Sequence, residues 1–144
     1  MRRGYHDYLD QEVLEATPIR LVELLYRGAL ESIASARRYL KAGDIRARSR
    51  AISKAMDIIT ELSRSLNQEA GGEIGRNLAE LYSYTETLLI EANSRQSDPP
   101  LAEAETLLST LAEAWGNCAG SQPAPPAFLT TDVQDQYAPI GYAR

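Results

Sequence analysis

The chain has 144 residues, with 15 Lys and Arg against 20 Asp and Glu, one Cys and one His; that length suits one domain plus a tail and is too short for two domains of ordinary size. A net charge of −5 excludes a general nucleic-acid binder, whose affinity rests on neutralising phosphates. The lone Cys118 permits no intramolecular disulfide and fits a reducing cytoplasm. No signal peptide is expected after Met1-Arg2-Arg3, and no run approaches the roughly 18 apolar residues of a membrane span.

Residues 1–16 form a weakly amphipathic arm in which Tyr8, Leu9 and Val13 need a surface to lie on, because so short a helix is unstable alone. Thr17 as N-cap and Pro18 at the first helical position open the first long helix, whose inner face is Val22, Leu25, Ala29, Ile33, Ala36 and Leu40. Gly43 closes it and Asp44 caps the next, which runs to about Leu66. The polar stretch Asn67–Gly72 reads as a turn ending in paired glycines, so the third helix is expected from Glu73 to about Asn93. Asp98 as cap and Pro99 then start a fourth helix that Gly116 and Gly120 end. From Ser121 the prolines at 123, 125, 126 and 139 and the scarcity of aliphatic residues predict a disordered tail, with Phe128, Tyr137 and Tyr142 as isolated anchors at most. The expectation is an all-α, antiparallel up-down four-helix bundle over residues 17–120, between the arm and the tail at 121–144.

The second helix carries more apolar circumference than one partner needs. Ile45, Ile52, Met56, Ile59 and Leu66 form one line, and Ala47, Ala51, Ala55, Ile58 and Leu62 form another beside it; only Arg48 interrupts the arc. One line can pack into the core while the small-residue line walls a shallow groove with Ile74, Leu78, Leu81, Tyr82 and Leu89 of the third helix. An amphipathic helix of a partner would fit such a groove, since alanines let it approach closely. Arg46, Arg50 and Lys54 make an adjacent basic strip suited to steering an acidic segment. Ordinary packing between two bundle neighbours explains the same arc without a partner, and that alternative stays open.

Catalytic chemistry is poorly supported. His6 lies outside all four helices, so the Glu-x-x-His pairs of a di-iron bundle cannot be assembled, and His6 with Cys118 cannot make a zinc site. No phosphate loop, no Ser–His–Asp or Cys–His set and no distinct carboxylate pair stands out, so neither an enzyme nor a cofactor is expected.

The order and density of several motifs resemble the flagellin-specific export chaperones of bacterial flagella, the FliS family. They are Tyr8, Gln11, Val13, Ala16-Thr17-Pro18, Leu21-Val22, Leu25-Tyr26, Gly28-Ala29, Gly43-Asp44, Lys54-Ala55, Asp57-Ile58-Ile59, Glu61-Leu62, Gly71-Gly72-Glu73-Ile74, Asn77-Leu78, Leu81-Tyr82, Tyr84, Leu89-Ile90-Glu91-Ala92-Asn93 and Trp115. The resemblance implies a cytoplasmic bundle that holds the C-terminal segment of new flagellin, blocks premature polymerisation and delivers the subunit to the type III export apparatus. It implies a flagellin segment lying on the bundle surface in helical pieces, partly in an apolar groove that the N-terminal arm can occupy. Export-gate or regulatory partners are further expectations, as are an adaptor role or simple self-association; nucleic acid and membrane insertion are not expected. Arg27 departs from the acidic residue usual after the Tyr, and the Pro-rich tail has no counterpart in the resemblance.

Overall fold

The computed structural model describes residues 17–119 and 126–129. Four helices follow in order: α1 (Pro18–Ala42), α2 (Ile45–Arg64), α3 (Gln68–Arg95) and α4 (Asp98–Ala119). They close a ring in which α1 touches α2 and α4, and α3 touches the same two from the opposite corner. Connections of two or three residues force neighbours to run antiparallel, so this is the expected all-α up-down bundle.

Local chemistry sets the helix ends. The Thr17 hydroxyl accepts from Arg20 N–H at 3.1 Å, and Asp44 accepts from Ala47 N–H at 3.1 Å. Between them Gly43 takes the left-handed conformation, φ 77°, and its N–H returns to the Leu40 carbonyl at 3.1 Å, a geometry that a Cβ would strain.

Two boundaries differ from those expected. α3 begins at Gln68 rather than Glu73 because Asn67 caps a turn of its own, accepting from Ala70 N–H at 3.1 Å. The break falls instead at Gly72, whose φ of 55° and ψ of −132° interrupt the helix before it resumes. Asp98 lies inside α4 rather than capping it, and the helix passes through Gly116 to Ala119. Of the expected tail, Pro126–Leu129 lies among the described residues and packs on the end of the bundle: Leu129 forms an isolated antiparallel bridge with Leu66 and is buried.

The core runs the length of the ring. Leu21, Ile33, Ile59, Leu62, Leu89, Leu101 and Leu108 are its largest wholly buried side chains among the apolar residues. Two polar links tie corners together. Arg37 of α1 grips Asp98 with two bonds, Nε to Oδ1 at 2.8 Å and Nη2 to Oδ2 at 2.9 Å, and donates through Nη1 to Glu105 at 2.6 Å. The guanidinium holds the Asp98 carboxyl below the usual carboxylate range. Arg48, expected as a gap in the apolar arc, is buried instead and donates through Nε to Asn93 Oδ1 at 3.1 Å; Ser49 reaches the same oxygen at 3.2 Å.

Candidate functional site

The predicted groove was to lie between the alanine line of α2 and the inner line of α3. The structure separates the two. On α2, the side toward α3 is marked by Ser49, which reaches Asn93, and by Thr60, whose hydroxyl lies 3.3 Å from Glu86 Oε2. The alanine line sits about half a turn from Ser49 and Thr60, and its member Ile58 meets α1. A Cβ added at Gly28 of α1 would stand 3.2 Å from Ile58 Cδ1, so the glycine makes room for the end of the Ile58 side chain. Ala55 and Leu62, both 0% exposed, are sealed in this seam. Ala47, Ala51 and Ile58 are half-buried along its edge, and Lys54 is exposed beside them.

The α3 half of the prediction divides differently. Tyr82 and Leu89 belong to the core, at 2% and 0% exposure. With Ala55 and Leu62 they are corrections to the predicted groove wall: each has its apolar surface covered by this chain's own helices, leaving none for a guest. Ile74, Leu78, Leu81, Thr85 and Ala92 continue one inward line, and burial fades along it. Thr85 and Ala92 are wholly buried, Leu78 and Leu81 are half-buried, and Ile74 is 58% exposed. At its leading end this line therefore leaves the Ile74 side chain uncovered, while Gly75 beside it is buried. An exposed isoleucine alone is ordinary on a protein surface; one that continues a core line is not. Ile45 and Ile90, also more than half exposed, lie off that line.

Two features of this region escaped the sequence reading. The Tyr26 and Tyr82 hydroxyls meet at 2.6 Å inside the core, joining α1 to α3 across the ring's diagonal. Their rings are 6.4 Å apart and tilted by 57°. Burial raises both phenols above the usual tyrosine range, so both stay protonated and one donates to the other. The second is the end of the bundle below Ile74, where Trp115 of α4 donates through Nε1 to the Ile19 carbonyl at 3.3 Å and meets Phe128 edge-on at 5.9 Å. An open cleft of about 340 Å³ between α1 and α4 runs from Trp115 past Tyr26 and Leu30. Gly28 was the available signal for the α1–α2 seam, since a glycine leaves room for a large side chain of the facing helix, here Ile58. Nothing in the spacing marked the hydroxyl pair as polar partners. The arm residues Tyr8, Leu9 and Val13 lie outside the described residues.

Among the described residues no group of three His, Cys, Asp or Glu side chains could hold a metal ion, and no helix is long and apolar enough to cross a membrane.

The four helices place the chain in the class of all-α helical bundles. The description "Flagellar protein FliS" matches residues 1–122 of the chain. The flagellar secretion chaperone FliS of Salmonella typhimurium is 44% identical over 108 residues, covering 74% of this chain and 80% of that protein. FliSB of Pseudomonas aeruginosa is 36% identical over 107 residues, 74% and 85% of the two chains, and FliS of Bacillus subtilis is 30% identical over 115 residues, 80% and 85%. The chain belongs to the FliS family, a family of flagellar secretion chaperones and not of enzymes.

Proposed function

We propose that this chain is a cytoplasmic chaperone that binds the C-terminal segment of flagellin, prevents its premature polymerisation and delivers it to the flagellar type III export apparatus. The observation that carries the reading, beside family membership, is the inward line of α3 that runs out of cover at Ile74. An amphipathic helical piece of flagellin laid along Ile74, Leu78 and Leu81 would complete the apolar layer that the four helices leave unfinished. The still-accessible edge of the α2 line, Ala47, Ala51 and Ile58 with Lys54 alongside, is a second strip for another piece of the same segment. The arm around Tyr8, Leu9 and Val13 competes for this surface, so removing residues 1–14 should leave flagellin affinity unchanged or improved.

Titration calorimetry with the isolated flagellin C-terminal peptide tests the reading. Saturable binding at one-to-one stoichiometry is expected. A peptide that does not bind, or that binds the Ile74→Asp variant as well as it binds the natural chain, overturns it.

A further inference from the structure

Pro126–Leu129 lies beyond the residues that match the family, 1–122, yet it is built into the end of the bundle. The Asn67 N–H donates to the Phe128 carbonyl at 2.6 Å, and Leu129 bridges Leu66 in antiparallel register. Leu129 N–H returns to the Pro126 carbonyl at 3.1 Å, closing a turn that presents Phe128 and Leu129 together. Phe128 packs edge-on against Trp115, and Leu129 is 3% exposed. The opposite wall is Gly71, where a Cβ would fall 2.7 Å from Phe128 Cβ and 2.8 Å from its Cα, closer than real atoms approach.

This socket adjoins the proposed flagellin surface. Phe128 clamps the turn Gln68–Gly71, which joins the rest of α3 through the non-helical Gly72, and Ile74 follows two residues later. We propose that the chain's own Phe128–Leu129, presented by this turn, fills the socket when no guest is held, and that this tail competes with the captured flagellin segment. The competing role rests on the flagellin reading above. Being tethered, the tail needs no high intrinsic affinity, because its effective concentration at the socket is set by a short linker. While it is seated, only the unlatched fraction of chains offers the whole surface, and apparent flagellin affinity falls by that fraction.

Trp115 is the single tryptophan of the chain, so its emission reports the socket directly. Two full-length variants open it from opposite sides: Phe128→Ala with Leu129→Ser on the tail, and Gly71→Ala on the wall. Alanine favours the helical turn more than glycine does, so the second variant stays folded. Both are expected to red-shift Trp115 emission at unchanged helical content and to bind the flagellin C-terminal peptide more tightly, by about tenfold for a tail seated nine times in ten. Unchanged emission in both overturns tail docking. A red shift with unchanged peptide affinity overturns the competition and leaves the flagellin reading standing. Failure of all three chains to bind the peptide overturns the flagellin reading and the competing role with it, while the emission shift still decides whether the tail is seated.

Discussion

The seam between α1 and α2 and the leading half of α3 are written in the same apolar alphabet at the same helical spacing, and the structure uses them in opposite ways. At the seam, Gly28 makes room for Ile58, and Ala55 and Leu62 of the same α2 line are wholly buried. Along α3 the line that seals Thr85 and Ala92 reaches Ile74 with little left to cover it. Periodicity shows that a face is apolar. Which neighbour covers it, and how far along, depends on the reach of the other helices and on small residues on a different helix.

Substitution sharpens that contrast. The largest effect is expected at the seam: Leu62→Asp places a carboxylate where no water reaches, which costs several kcal/mol against a total stability of about 5–15 kcal/mol. Urea titration followed by circular dichroism should find this variant unfolded or nearly so, and a folded one would mean that the seam opens freely. Next comes the hydroxyl pair. Tyr82→Phe leaves the Tyr26 hydroxyl buried without its partner, for an expected loss of about 1–3 kcal/mol. The double change with Tyr26→Phe should cost less than the sum of the two single changes, and strict additivity would show that the hydroxyls do not cooperate.

On the other side of the comparison, Ile74→Asp should shift stability by less than about 0.5 kcal/mol, because the side chain already meets water. It should weaken flagellin binding about tenfold or more, the loss of one well-buried apolar contact at the interface. Equal loss of fold and binding would move Ile74 into the core.

The smallest effect belongs to Arg37. Asp98 has its folded-state pKa lowered by the guanidinium, so the stabilisation is fully present above the unfolded Asp value and fades as pH falls through the folded one. Both side chains are more than a third exposed, at 36% and 45%, so screening holds the contribution below about 1 kcal/mol. Arg37→Ala should therefore lower stability slightly near neutral pH and by less near pH 2, and an equal penalty at both would assign the loss to packing of the arginine stem.

Much of the fold was legible in the residues because it is decided locally. Thr17-Pro18 and Gly43-Asp44 carry their own capping chemistry, and four apolar periodicities joined by short connections leave little choice of architecture. Asn67 misled because its capping role and the paired glycines compete over the same six residues, and the cap won the first turn while Gly72 took the break. The candidate site was legible only in part. Ile74 is exposed and Leu78 and Leu81 are half-buried, but Ala55, Leu62, Tyr82 and Leu89 were assigned to a groove wall by a pattern that cannot distinguish a covered apolar face from a bare one. The docking of Phe128 depends on Gly71 and Trp115, residues 57 and 13 positions away in the chain, and no local rule connects them.

The paired phenols of Tyr26 and Tyr82 also bear on how the bundle avoids slipping. Leucine and isoleucine layers tolerate a shift of one helix past its diagonal partner by a single turn, about 5.4 Å, since one aliphatic layer resembles the next. Two hydroxyls that meet at 2.6 Å do not: the shifted arrangement strands both in oil at about 1–3 kcal/mol each. The molecule thus keeps one longitudinal alignment out of several that its greasy residues alone would treat as nearly equal.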